Sequence, residues 1–210
     1  MHAPASPTDP LRPHPPSPAV VCRRLALPVA AALVGAVLVG VPQTATAQDV
    51  AGVPPGASLP GDPGDVASLD AIMAAVYDAI SGPAGEARDW DRFRSLFMPG
   101  ARLIPSGINA RGEVGARVLT PEDYVAQVGP ALEEGGFFEV ELGRRVERYG
   151  PVVHVLSAYA SMRAEDDPEP FARGVNSFQL LDAGDRWYVV SIFWASETPG
   201  NPLPPDLAGG

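Results

Sequence analysis

Apolar residues recur at helical spacing in three segments of the chain. Over residues 69–80 they fall at i, i+3, i+4 and i+7, with Ser68 in front of them as an N-cap. A shorter apolar stripe covers residues 90–97. Thr120 then places a capping hydroxyl ahead of a proline and two acids, which is typical of a helix start, and this helix should cover residues 121–132. The spacing predicts three helices.

After residue 136 the apolar residues no longer follow a helical spacing and form long runs that are typical of strands. We predict four of them, over residues 137–149, 152–163, 171–181 and 186–197. Upstream, we expect a short strand over residues 101–104 and a loose hairpin over 105–119. Helices followed by a run of antiparallel strands are typical of an α+β fold, in which helices cover one face of a curved sheet.

The N-terminal region has the pattern of an export signal. Arg23 and Arg24 precede an apolar run at 25–41, and residues 45–47 form the small-x-small pattern of a signal-peptidase site. We expect residues 1–47 to be an N-terminal extension and signal peptide, cleaved near Ala47/Gln48, which makes the product secreted or periplasmic. The alternative is an uncleaved anchor, because the run approaches the roughly 20 apolar residues of a membrane-spanning helix.

Glycine and proline content sets the remaining boundaries. Residues 48–64 have the composition of a flexible linker, and residues 198–210 form a proline-rich tail. Between them, residues 65–197 are expected to form one domain of ordinary size.

Composition limits the chemistry that the mature chain can perform. Loss of residues 1–47 removes three Arg and one Asp, which leaves 12 Arg and no Lys against 24 acids. The strongly negative net charge of the mature chain argues against a nucleic-acid partner. It also argues against attraction to anionic membranes after signal cleavage. Cys22 and two of the three histidines are also lost, so His154 is the single remaining imidazole. The glycines form no phosphate-binding fingerprint and the acids at 165–169 lack the spacing of a calcium loop, so we expect no cofactor and no metal.

Two stretches carry a resemblance to a known family. They are "DWDRFRSLFMPGARL" at 89–103 and "RGVNSFQLLDAGDRWYVVSIFWASE" at 173–197. With the order of helices and strands over residues 65–197, they make the chain similar to the SnoaL-like proteins of the nuclear transport factor 2-like superfamily. The resemblance implies a cone: a curved, mainly antiparallel sheet of five to six strands, mixed at an edge, wrapped around three helices. It also implies a pocket at the wide end and, in many members, a homodimer through the sheet. Members include dehydratases, ketosteroid isomerases, epoxide hydrolases and polyketide cyclases, so the fold does not select a function.

The side chains inside such a cone depend on the register of the last hairpin. If the turn at 182–185 has a two-residue tip, Asn176 faces Ser191, because side chains alternate along a strand. The more apolar face of the hairpin, which we assign to the interior, then carries Phe178, Leu180, Trp187, Val189 and Phe193 in addition to that pair. The same register places His154 inside and leaves Val190, Ile192 and Trp194 outside.

These assignments leave three hypotheses. In the first, an exported domain binds a small, largely apolar molecule through Tyr77, Asn176, Ser191, Phe178 and Trp187, without identifiable catalytic machinery. Asn176 and Ser191 then either hold a polar group of the ligand or satisfy each other. In the second, the protein is a small lyase, isomerase or hydrolase with His154 as its base. In the third, the apolar outer face of the sheet binds another protein; a homodimer would cover the same face. Glu139 and Glu141 are expected on an exposed outer face.

Overall fold

A computed structural model describes residues 59–109 and 111–208. The predicted signal segment, residues 1–47, lies outside the described residues, as does most of the predicted linker at 48–64. Signal cleavage, export and a retained anchor therefore stay predictions.

The described residues form four helices and six strands. The helices are α1 (Pro63–Val66), α2 (Leu69–Ile80), α3 (Trp90–Ser95) and α4 (Pro121–Gly135). The strands are β1 (Phe97–Ile108), β2 (Val114–Ala116), β3 (Phe138–Tyr149), β4 (Val152–Met162), β5 (Ala172–Asp182) and β6 (Trp187–Ser196). The three predicted helices are confirmed as α2, α3 and α4, and the four predicted long strands as β3 to β6.

The predicted helix starts are also confirmed. The Ser68 hydroxyl accepts the backbone N–H of Ala71 at 3.1 Å and begins α2. At the start of α4, Thr120 and Asp123 form a capping box, in which each side chain accepts the backbone N–H of the other residue. Both caps satisfy N–H groups that have no partner inside the helix.

The six strands form one mixed sheet in the order β2-β1-β6-β5-β4-β3. β1 runs parallel to β6, and every other neighbouring pair is antiparallel. The helices pack on one face of the sheet and form the main core with it, where Ile72, Phe93 and Phe178 are almost fully buried. The α+β class that the sequence pattern predicts and the mixed sheet that the resemblance implies are therefore confirmed.

The predicted register of the last hairpin is wrong. Asp182 pairs with Trp187, so the loop between β5 and β6 has four residues instead of two. A bulge then adds one residue to β6 after Val189, and beyond it Asn176 faces Trp194 while Ser191 faces Gln179. Because an extra residue reverses the alternation of side chains, the residues after the bulge change faces.

This reversal exchanges several predicted positions. Ile192 is buried and Trp194 packs against the core, although both were predicted outside. Phe193, predicted inside, is 48% exposed. Ser191 lies on the same outer face as Phe193.

The predicted placement of His154 inside the cone is wrong for a related reason. In β4 the residues that face the helices are Val153, Val155 and Ser157, which are fully buried. The pairing of β4 with β5 sets this parity, because Val155 lies opposite the buried Phe178. His154 therefore lies on the outer face, because the predicted register of β4 is wrong by one residue.

The residues after β6 return over the outer face of the sheet. Leu203 is 9% exposed there and Leu207 is 1% exposed. With the fully buried Ala158 of β4 they form a second apolar cluster. Glu197 fixes the start of this segment, since its carboxylate accepts the backbone N–H of Leu203 at 3.0 Å and pairs with Arg173 at 2.8 Å. Packing of the domain thus continues beyond residue 197 into the proline-rich tail.

Candidate functional site

A cavity of about 240 Å³ lies between the sheet and the helices. Its volume is close to the lower end of the range of small-molecule sites, about 300–1,000 Å³. Most of its lining is apolar or aromatic: Val76, Ile80, Phe93, Leu103, Pro105, Leu119, Val128, Leu132, Phe137, Ala172, Phe178, Ile192 and Trp194. The polar lining residues are Tyr77, Arg117, Tyr124, Glu139, Tyr159, Ser161 and Asn176. A few polar groups in an apolar enclosure are typical of a site that binds and orients a small molecule.

Glu139 is the acid that lines this cavity. It lies on β3 opposite Ser161 of β4, on the face that meets the helices. The Ser161 hydroxyl donates to its Oε2 at 3.0 Å, and the Asn176 amide donates to its Oε1 at 3.4 Å. The residue is half-buried, because it also borders a shallow groove between α2 and β3. The expectation that Glu139 is on an exposed outer face is therefore wrong.

Burial raises the pKa of Glu139 from its ordinary value of 4.5 to about 7, against the hydrogen bonds from Ser161 and Asn176, which lower it. Removal from water disfavours the charged carboxylate, and the two donors compensate only in part. Near neutral pH this carboxyl group is present in both protonation states, as proton transfer requires.

A chain of hydrogen bonds connects Glu139 with a second carboxylate. The Asn176 amide also donates to the Tyr77 hydroxyl at 3.2 Å, and that hydroxyl lies 2.7 Å from the Ser157 hydroxyl. Ser157 donates its one hydrogen to Glu141 at 2.5 Å, so Tyr77 donates to Ser157. Tyr77 thus directs its hydrogen away from the cavity and presents an oxygen there. Burial raises the pKa of Tyr77, so its hydroxyl stays protonated near neutral pH.

Tyr124 brings a hydroxyl group of a different kind to the cavity. Its ring stacks on Phe93 with 5.5 Å between the ring centroids and meets Trp194 edge-on at 6.3 Å, which fixes its position on α4. The side chain is buried, yet within residues 59–109 and 111–208 its hydroxyl has no hydrogen-bond partner. Burial, and then the negative charge of Glu139, raise its pKa. A buried tyrosine hydroxyl usually has a partner, so Tyr124 is available as a donor to a bound molecule.

The residues predicted for the site divide into two groups. Tyr77, Asn176 and Phe178 line the cavity. Trp187 is buried in the core without lining it. Ser191 is on the outer face, so the predicted pair of Asn176 and Ser191 does not form, and Asn176 contacts Tyr77 and Glu139 in its place.

His154 has its own partners on the outer face. Its Nε2 lies 3.0 Å from the Ser177 hydroxyl, and its Nδ1 lies 3.8 Å from the carboxylate of the exposed Glu147. It does not line the cavity. A base for a molecule in the cavity must come from another residue, and Glu139 is placed for that role.

The sequence contains a signal for Glu139. It lies two residues after Phe137, so the two share a strand face, and Phe137 also lines the cavity. Acids are usually exposed, and this general rule predicts the opposite face for Glu139. The sequence places Tyr124 in the predicted third helix, but its free hydroxyl depends on neighbours that are distant in the sequence.

Neither metal binding nor a membrane span has a structural indication in the described part of the chain. Within residues 59–109 and 111–208, no group of three or more His, Cys, Asp or Glu side chains is arranged to hold a metal ion. In the same ranges no helix is long and apolar enough to cross a membrane.

Comparison with known proteins bears on the fold. No protein-family model matches the sequence, and no curated protein matches it. A nuclear transport factor 2-like (NTF2-like) protein of unknown function from Shewanella baltica has a similar structure, with 14% identity, coverage of 60% of this chain and 89% of that chain, and a TM-score of 0.40. A protein of unknown function with a cystatin-like fold from Nostoc punctiforme has 12% identity, coverage of 65% and 92%, and a TM-score of 0.46.

A second NTF2-like protein of unknown function, from Methylobacillus flagellatus, has 11% identity, coverage of 62% and 95%, and a TM-score of 0.38. At this level of identity the likeness concerns the fold alone.

Proposed function

We propose that the cavity binds a small, largely apolar carbonyl compound and that Glu139 accepts a proton from it and returns the proton to it. The observation that carries this proposal is the raised pKa of Glu139, about 7, in a cavity with a mainly apolar lining. The proposal keeps the apolar ligand of the first hypothesis and the isomerase of the second, with Glu139 in place of His154 as the base.

The proposed reaction uses two groups of the cavity. The Glu139 carboxylate takes a proton from the carbon next to the carbonyl group, and the electron pair of that C–H bond moves towards the carbonyl oxygen. Tyr124 donates its free hydroxyl hydrogen to this oxygen and stabilises the negative charge that develops there. Glu139, now protonated, returns the proton to the same carbon or to another carbon of the conjugated system.

The carboxyl group of Glu139 in this mainly apolar cavity favours catalysis over binding alone. Binding an apolar molecule requires no ionisable group, and keeping a carboxyl in an apolar enclosure costs free energy. As part of the same proposal we place the activity outside the cytoplasm, on the signal-peptide pattern of residues 1–47.

The test is exchange of the hydrogens next to the carbonyl group of β-tetralone in deuterated water, followed by NMR. We expect the protein to accelerate exchange, with a rate that rises with pH and levels off above about 7. Glu139→Gln should lower the rate about 100-fold or more, and Tyr124→Phe about 10-fold. Glu134→Gln, which changes an exposed acid of α4 that does not line the cavity, serves as the control. Exchange that is equally fast with Glu139→Gln contradicts the proposal.

A further inference from the structure

Arg117 is the positively charged residue among those that line the cavity. It directly follows β2, and its backbone N–H donates to the carbonyl oxygen of Pro105 on β1 at 3.0 Å, which holds it beside the sheet. The residue is exposed, so it lies where the cavity meets solvent.

The guanidinium group of Arg117 has few partners compared with other arginines in the described ranges. Seven of the other arginines pair with carboxylates: Arg92, Arg94, Arg111, Arg144, Arg145, Arg148 and Arg173. Backbone carbonyl oxygens accept hydrogen bonds from Arg88, Arg102, Arg163 and Arg186, which also have no carboxylate partner in the described ranges. Arg117 donates to the neutral side chain of Gln127 at 3.3 Å and has no carboxylate partner in residues 59–109 and 111–208. Its remaining N–H groups are free to bind an anion.

Arg117 and Glu139 come from opposite edges of the sheet. The strand order places β2 at one edge and β3 at the other, and the cavity lies against the face between them. A molecule that fills the cavity therefore meets the cation on the side of β2 and the acid on the side of β3. This separation keeps an anionic group of the ligand away from the Glu139 carboxylate, which would repel it.

We propose that Arg117 binds an anionic oxygen group of the ligand, and that the ligand is an apolar carboxylic acid whose carbonyl group is remote from its carboxylate. The inference rests on the proposed function for the role of Glu139. A planar guanidinium group matches the two oxygens of a carboxylate. Since Arg117 is exposed, the bound carboxylate stays partly hydrated, and pairing avoids the full cost of burying both charges. The apolar body of the ligand fills the cavity lined by Phe93, Phe178 and Ile192.

The experiment is isothermal titration of the full-length protein with β-naphthoate and with β-naphthamide, which have the same rings and differ in charge. We expect the wild-type protein to bind the carboxylate about 10-fold more tightly than the amide. Arg117→Gln should remove this preference by weakening the binding of naphthoate, and thermal unfolding of the variant checks that the fold is intact. Arg111→Gln, an exposed arginine of the preceding loop that does not line the cavity, should keep the preference.

Equal binding of the two probes by the wild-type protein, including no binding of either, overturns the inference. An unchanged preference with Arg117→Gln overturns it as well. Failure of the proposed function is separate, because it appears as exchange of β-tetralone that does not depend on Glu139. If Arg111→Gln weakens naphthoate binding as much as Arg117→Gln does, the preference for the carboxylate reflects adventitious attraction of anions to exposed arginines. This result also overturns the inference.

Discussion

Glu139 connects the proposed chemistry with the stability of the protein. Its pKa is raised by burial from 4.5 to about 7, so the folded protein holds this proton at pH values where the unfolded chain has lost it. The contribution of Glu139 to the free energy of unfolding is therefore fully present below about pH 4.5, and it is lost as the pH rises to about 7. Above that pH, the folded protein keeps a carboxylate in a place that favours the neutral acid.

We predict that Glu139→Gln stabilises the protein at high pH. Glutamine resembles the protonated acid in shape and has no charge, so the two proteins should be almost equally stable near pH 5. At pH 8 the variant should be more stable by about 2–3 kcal/mol. Urea unfolding at both pH values measures this, and a stability difference that does not change with pH contradicts it.

At the level of the elements, the sequence predicts the helices and strands well and the faces of the strands less well. The caps at Ser68 and Thr120 and the long runs of β3 to β6 depend on neighbouring residues, which the sequence displays directly. The bulge after Val189 and the four-residue loop depend on how β5 and β6 meet in the folded sheet. The residue that the bulge adds places Ile192 inside and Ser191 outside, so Asn176 lines the cavity and its predicted partner does not.

A glycine on β5 makes room for one of the tyrosines of the cavity. A Cβ atom at Gly174 would lie 2.4 Å from the Tyr159 hydroxyl oxygen and 2.4 Å from the backbone oxygen of Ala195. Tyr159 lines the cavity. A side chain at this position therefore has to displace either the lining of the site or strand β6.

We predict that Gly174→Ala lowers the free energy of unfolding by about 1–3 kcal/mol, because a packed region of the sheet has to shift. Gly107→Ala is the matched control, since Gly107 is also in a strand and a Cβ there meets nothing within 4 Å. Thermal unfolding of both variants measures the effect. Equal melting temperatures for the two would show that the contact at Gly174 is not restrictive.

At the level of the whole molecule, the C-terminal segment changes the expected use of the outer face. The sequence predicts an apolar outer face available to a second copy or to another protein. In the structure, Leu203 and Leu207 cover part of that face, and Trp194 is directed to the core. A homodimer through the sheet remains a proposal, and it would use the uncovered part around Phe193, which is 48% exposed.

We predict that this segment contributes to global stability. Leu207 is 1% exposed, and Leu207→Ala should lower the free energy of unfolding by about 2 kcal/mol or more through loss of buried surface and an unfilled space. Val118→Ala, at a residue that is 65% exposed, should change it by less than about 0.5 kcal/mol. If the two variants unfold at the same urea concentration, the segment is not an integral part of the domain.

The proposed chemistry requires a carboxyl group in the cavity that titrates near neutral pH. NMR titration of the protein with carbon-13 in its glutamate side chains tests it directly, with the Glu139 signal assigned by its absence in Glu139→Gln. We predict a midpoint near pH 7 for this signal. A midpoint near the ordinary value of 4.5 would contradict the claim, because the carboxylate would then be fully ionised at neutral pH and a poor proton carrier there.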